Sequence, residues 1–313
     1  MQILTNTKIK FMAQRKVALF FSMVILVLSL ASLIFKGMEF GLDFTGGTIL
    51  EVEYPDAVEL MPIRNVLKQN DFADAVVQHF GSASDVLVRV APKESLSSAE
   101  ISTHLFEVLK NQNNQVKMRR VEFVGPQVGE ELTETGGLAM LAALACILIY
   151  VALRFEYRFA LGSVAALAHD VIIVLGIFSL FGLEFDLTVL AAVLAVIGYS
   201  LNDTIVVFDR IRENFRKMRK GDVIQIIDSS LNQTLSRTLV TSFTTIIVLV
   251  SLFIFGGELI HGFATALLIG VIIGTYSSIY VASSVLVTMG VSKDDLAPVK
   301  KEGAEQEEIY EEV

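Results

Sequence analysis

Six stretches of this chain are apolar over lengths that membrane-crossing helices need: residues 17–35, 136–153, 159–181, 187–208, 239–256 and 263–288. In lipid every backbone N–H and C=O must find its partner within the segment, so such runs are helical. A content of 53% hydrophobic residues is too high for an ordinary soluble domain of acidic pI, and the chain reads as a multi-span membrane protein. Much of the net charge of -9 comes from EGAEQEEIYEEV after Lys301, an acidic extension that argues against nucleic-acid binding. A single cysteine, Cys146, excludes a disulfide framework or a Cys-based metal site within the chain.

The first run follows Lys8, Lys10, Arg15 and Lys16. Ser29-Leu30-Ala31 resembles a signal-peptidase site, but apolar sequence continues to Phe35 and favours an uncut anchor. Arg154 and Arg158 separate spans two and three, and Arg210, Arg212, Arg216, Lys217, Arg219, Lys220 and Arg237 fall between spans four and five. Residues 182–186 and 257–262 hold no Lys or Arg, so the positive-inside rule predicts that both termini are cytoplasmic. The expected layout is a cytoplasmic N-terminus (1–16), a first span (17–35), a domain on the far side (36–135), spans two to six (136–288) and a cytoplasmic acidic tail (289–313).

Inside the far-side insert the periodicity changes. Residues 48–54, 75–80, 85–91 and 116–124 read as strands, and 57–69 and 97–111 as helices. Strand, helix, strand, strand, helix, strand is the split βαβ order of ferredoxin-like domains. The expected fold is therefore α+β: six transmembrane helices with a ferredoxin-like periplasmic domain between spans one and two. Glycine clusters mark both joints: Gly41, Asp43, Gly46 and Gly47 in GLDFTGGT, and Gly125, Pro126 and Gly129 in VGPQVGEEL. Neither has the lysine of a phosphate loop, so both read as tight turns and hinges. Beyond span four, Ile211, Phe215 and Met218 recur at helical spacing among basic residues, suggesting a helix along the inner surface, with Asp222 placed to cap the next one.

Polar groups inside the spans are the candidate functional residues, because a carboxylate at membrane depth costs about 3 kcal/mol or more. Span three holds His169 and Asp170; span four holds Asn202 and Asp203, with Tyr199 and Ser200 spaced to flank the second carboxylate. No second His or carboxylate follows His169 at i+3 or i+4, which disfavours a metal site. Asp203 lies about 7 Å from the inner end of its run, within reach of protons from that side. Arg237 is the nearest cation in sequence terms, yet the predicted boundaries separate it from Asp203 by about 10 Å along the membrane normal, leaving pairing and simple anchoring both open. In span six Gly270, Gly274 and Ser278 form a small-residue stripe for close helix approach. An intramembrane aspartyl protease using Asp170 and Asp203 would need a Gly-x-Gly-Asp signature, which neither residue has.

The ordered set GLDFTGGT, VGPQVGEEL, Ala168-His169-Asp170, GYSLNDTIVVFDRIREN (Gly198 to Asn214), QTLSRTL and IGTYSSIYVASS resembles the SecF branch of the SecD/SecF family of protein-export membrane proteins. The likeness runs from the first span to about Gly290. It implies half of a transporter of the resistance-nodulation-division superfamily, in the bacterial inner (cytoplasmic) membrane, with no cofactor and no metal. The implied partners are SecD, the SecYEG channel, the SecA motor, YajC, preproteins and membrane lipid. The family uses the proton-motive force to draw preproteins outward. Asp203 and Arg237 then match the carboxylate and arginine of proton passage, with Asn202, Asp170 and His169 beside them.

Overall fold

A computed structural model describes residues 7–93, 96–218 and 222–292. Arg219, Lys220, Gly221 and the acidic tail lie outside the described residues. Six helices among the described residues are long and apolar enough to cross a membrane. After a 3-10 turn at Phe11–Gln14, α1 spans Arg15–Phe35. A short strand β1 (Glu39–Phe40) and a one-turn helix α2 (Leu42–Thr45) lead into the insert. There follow β2 (Gly47–Glu53), α3 (Leu60–Gln69), β3 (Val76–Phe80), β4 (Ser82–Val90), α4 (Ser98–Gln112) and β5 (Lys117–Val124). The remaining elements are α5 (Pro126–Arg154), α6 (Tyr157–Phe181), β6 (Glu184–Phe185), α7 (Leu187–Lys217), α8 (Val223–Phe255) and α9 (Glu258–Ser277), the last continuing through a π-turn (Ser278–Ala282) into α10 (Ser283–Thr288).

The insert keeps the element order that its periodicity predicts. Its four strands form an antiparallel sheet in the order β3-β4-β2-β5. Alternation along β2 and β4 sends Leu50, Val52, Val86, Val88 and Val90 to one face, where Ile63 and Leu67 of α3 and Ile101 and Leu105 of α4 close the core. The start of α4 is fixed by a capping box: the Ser97 hydroxyl accepts from the Glu100 N–H while Glu100 accepts from the Ser97 N–H.

Three boundaries differ from the sequence reading, each for a physical reason. The second glycine cluster is no separate turn: Gly125 is the N-cap and Pro126 the first residue of α5, a position where the missing N–H costs nothing. Among the described residues no separate surface helix follows span four. Instead α7 runs on to Lys217, because Ile211 and Phe215 continue its buried stripe into an apolar cluster with Phe11, Ile226 and Leu231. Span five likewise begins at Val223, well before residue 239, since Ser229, Ser230, Asn232 and Gln233 dilute hydropathy without breaking helical spacing; Asp222 holds the N-cap position but makes no side-chain cap bond.

In the membrane bundle α6 and α7 are central, with 50% and 56% of their apolar windows buried, against 6% for α5 and 17% for α8. Close approaches fix the packing. A Cβ on Gly270 of α9 would lie 2.1 Å from a Val196 methyl of α7, and one on Gly176 of α6 would lie 2.2 Å from the Ser29 Cβ of α1.

The first glycine cluster is a clasp between insert and bundle. Parallel pairing joins Glu39-Phe40 to Glu184-Phe185, and the Gly41 N–H donates to the Phe185 carbonyl at 2.8 Å. Asp43 accepts from the Leu187 N–H at the start of α7 (3.0 Å). From β4, Arg89 donates to the Phe40 carbonyl (2.5 Å), the Thr45 hydroxyl (2.8 Å) and the Glu184 carboxylate (3.3 Å). Gly46 and Gly47 have φ of +64° and +126°, and a Cβ on Gly47 would meet the Val90 carbonyl at 2.5 Å, so only glycine fits there.

Burial lifts the Glu184 carboxyl above the ordinary glutamate value of 4.5, although Arg89 pulls it down in part. A raised folded value means that this group's stabilising contribution is full below 4.5 and is lost as pH rises through the elevated value. Glu184→Gln is therefore expected to flatten the pH dependence of amide exchange at Gly41 over that window. Unchanged pH dependence would show that Glu184 does not govern the clasp.

Two buried carboxylates in the bundle

Both carboxylates singled out in the sequence lie inside the bundle, each held by hydroxyls from neighbouring helices. Asp203 of α7 is 7% exposed. Its Oδ1 accepts from the Thr238 hydroxyl of α8 at 2.7 Å and its Oδ2 from the Ser278 hydroxyl at 2.5 Å. Asp170 of α6 is fully buried. Its Oδ2 accepts from Ser200 of α7 at 2.5 Å and Ser277 of α9 at 2.6 Å, while Oδ1 lies 2.8 Å from Nδ1 of His169. The buried Nε2 of His169 has no partner among the described residues. Its ring stacks near Tyr276, whose hydroxyl donates to the Ala18 carbonyl of α1 at 2.8 Å.

Hydrogen bonds to a charged group contribute about 1.5–3 kcal/mol each, so two hydroxyls per carboxylate offset much of a desolvation penalty of several kcal/mol per ion.

The constellation differs from the sequence reading in four respects. Ser200 serves Asp170 of α6 and not Asp203, three residues further along its own helix. Tyr199 donates to Ser242 of α8 at 3.2 Å, and Ser242 meets Thr275 of α9 at 2.7 Å, so it belongs to a hydroxyl ladder across three helices. Asn202 is exposed. Arg237 is exposed too and forms no ion pair with Asp203; of the two roles left open for it, pairing does not occur within this chain, and its neighbour Thr238 reaches the acid instead. Adjacent helical residues diverge by about 100°, which is why one faces inward and the other out.

Sequence reasoning missed Thr238, Ser277 and the polar role of Ser278. Gly270 and Gly274 do line the α7 contact, with a Gly274 Cβ position 3.2 Å from the Ser200 Cβ. Ser278, on the same stripe, instead serves as a hydrogen-bond donor. The available signal was the doublet Ser277-Ser278, which places a hydroxyl on two faces of one helix.

Residues 104–292 match the family described as protein export membrane protein SecD/SecF, C-terminal, and residues 31–54 match the SecD/SecF GG motif. The chain belongs to the SecD/SecF family. It is 54% identical over 312 residues to protein translocase subunit SecF of Vibrio alginolyticus, covering 98% of this chain and 99% of that one. With protein translocase subunit SecF of Pseudomonas aeruginosa it shares 49% identity over 290 residues, 93% and 94% of the two chains. Among solved structures it is similar to SecDF, a translocon-associated membrane protein from Thermus thermophilus, with a TM-score of 0.83 and 37% identity over 92% of this chain. The match covers 39% of the SecDF chain, so most of that longer protein has no counterpart here. Against SecDF in its super-membrane-facing form the TM-score is 0.68 at the same coverage. The protein is thus a multi-pass α+β membrane protein of a protein-export family, and the relatives it resembles are translocase subunits.

Proposed function

We propose that the chain acts as a SecF-type subunit which, together with SecD, uses the proton-motive force to promote translocation and release of preproteins across the bacterial cytoplasmic membrane. The observation that carries this reading is Asp203, a carboxylate buried in the bundle whose side chain accepts from the hydroxyls of Thr238 and Ser278. Each elementary charge crossing the membrane potential delivers about 2.3 kcal/mol per 100 mV, so a few protons suffice to bias a conformational change.

In this reading the four-stranded insert is a ferredoxin-like domain on the periplasmic side and both termini are cytoplasmic. Its strand order and the clustering of Lys and Arg in alternate loops support that arrangement. SecYEG, SecA and YajC complete the assembly on the chemistry of export. The chain itself performs no covalent step. Asp170 and His169 form a second proton-holding pair, and the insert swings about the GLDFTGGT joint once the Arg89 clasp opens.

Arg237 supports the need for a partner. It stands on a largely bare helix beside the exposed Thr241 and Thr244, and a charge in lipid calls for a counter-charge. A carboxylate supplied by SecD meets it in this reading. Arg237→Met is expected to abolish uncoupler-sensitive preprotein import into inverted vesicles while changing the thermal stability of the isolated chain by less than about 0.5 kcal/mol. Full retention of uncoupler-sensitive import would remove Arg237 from the proton path.

A further inference from the structure

Ser277 and Ser278 are consecutive, yet each reaches a different buried acid. Ser277 points to Asp170 on α6 and Ser278 to Asp203 on α7. A helix rotates by about 100° per residue, so the doublet presents hydroxyls on two faces and one helix touches both carboxylates.

Each of these hydroxyls also lies near a second acceptor. Ser277 Oγ is 2.6 Å from Asp170 Oδ2 and 3.1 Å from the Gly274 carbonyl. Ser278 Oγ is 2.5 Å from Asp203 Oδ2 and 3.0 Å from the Thr275 carbonyl. A hydroxyl has one hydrogen to give and two lone pairs to accept with. Beside a charged carboxylate it donates to the acid; beside a protonated one it turns its hydrogen to the helix carbonyl and accepts from the acid. The contact with the acid is kept in both states, and the bond to the helix carbonyl is made only in the protonated one. The other two hydroxyls, Thr238 on Asp203 and Ser200 on Asp170, have no such alternative acceptor among the described residues.

The helix changes form at the same place. The α-helical ladder ends at Ser277 and a π-turn occupies Ser278–Ala282, with the Ser283 hydroxyl donating to the Ser278 carbonyl at 3.4 Å. Single π-turns inside α-helices recur at functional sites, where they leave backbone groups free to change partners.

We propose that Ser277 and Ser278 are positioning residues whose hydroxyls switch between carboxylate and helix carbonyl, so that α9 registers the protonation of both Asp170 and Asp203 and passes it into the π-turn. This rests on the reading that Asp203 takes up protons. The titratable groups facing the doublet are His169 and Asp170 from α6, Tyr199 and Asp203 from α7, and Tyr276 and Tyr280 on its own helix, while Arg237 of α8 points outward; α1 brings Ser22 and the Ala18 carbonyl to Tyr276.

The test uses the chain with its native partner in inverted vesicles, measuring uncoupler-sensitive preprotein import across a pH series and the carboxyl stretch of ¹³C-labelled aspartate by infrared difference spectroscopy. Ser278→Ala removes a donor to the charged acid, so the half-maximal pH should move up by about one unit or more, with Ser278→Thr restoring it. Ser277→Ala should displace the Asp170 band. If Ser278→Ala leaves both midpoint and bands in place while Asp203→Asn still removes the proton dependence, the switch is wrong and the export reading survives. If Asp203→Asn keeps full proton dependence, the export reading itself falls. The infrared bands remain readable even in a variant too impaired to transport.

Discussion

Asp203→Asn is expected to reduce preprotein import into inverted vesicles to the level seen with an uncoupler, and to leave the ATP-driven part intact. Asparagine keeps the size of the side chain and can still accept from Thr238 and donate or accept at Ser278, so the packing of α7 against α8 and α9 survives. What disappears is the ability to gain and lose charge. Each proton no longer coupled forfeits about 2.3 kcal/mol per 100 mV, close to fifty-fold in any equilibrium that it drives. A variant that folded and yet kept its full response to the proton gradient would place the coupling site elsewhere. Thermal unfolding near that of the parent chain is the control that separates lost coupling from lost structure.

The second large effect is structural. Gly270→Ala puts a methyl 2.1 Å from one Val196 methyl and 2.7 Å from the other, and the Val196 Cβ itself is only 2.9 Å away. Val196 is 1% exposed and β-branched, with little rotamer freedom in a helix, so it cannot step aside. Accommodation requires α9 to back away from α7, at about 1–3 kcal/mol in lost stability. The same movement withdraws Ser278, two turns further along the stripe, from Asp203. Gly270→Ala should therefore lower both the unfolding temperature and proton-driven import, and Val196→Ala in the same chain should recover part of each. A purely additive double mutant would mean that the two helices do not meet as tightly as Gly270 and Val196 indicate.

The spans were legible because length and apolarity suffice to mark a bilayer crossing, and the insert because periods of 2 and 3.6 separate strands from helices. Helix ends were less so. Residues 209–217 and 223–238 are helical without being greasy, and hydropathy alone cannot distinguish a polar helix from a loop. The acids themselves were visible as Asp170 and Asp203, but their partners were not. Thr238 stands 35 residues from Asp203, Ser278 75, and Ser277 107 from Asp170, and nothing in local spacing says which helix will face which. Arg237 shows the reverse limit: charge made it conspicuous, whereas a rotation of one residue decides that Thr238 enters the site.

The bareness of α5 has a mechanical meaning. At one end Gly129 lies against Gly46 and the Thr133 hydroxyl donates to the Phe44 carbonyl; at the other Val151 and Phe155 are sunk in the apolar cluster around Phe208. Between those moorings one face of the helix rests on the bundle through Gly136, Met140, Leu144 and Ile147, and the rest of it stays bare. Its two ends are tied to different parts of the molecule, so its residue count matters: one residue more or fewer turns one tip against the other by about 100° and shifts it by about 1.5 Å. The number of residues in α5 therefore has to agree with the compass bearing that the clasp gives the sheet.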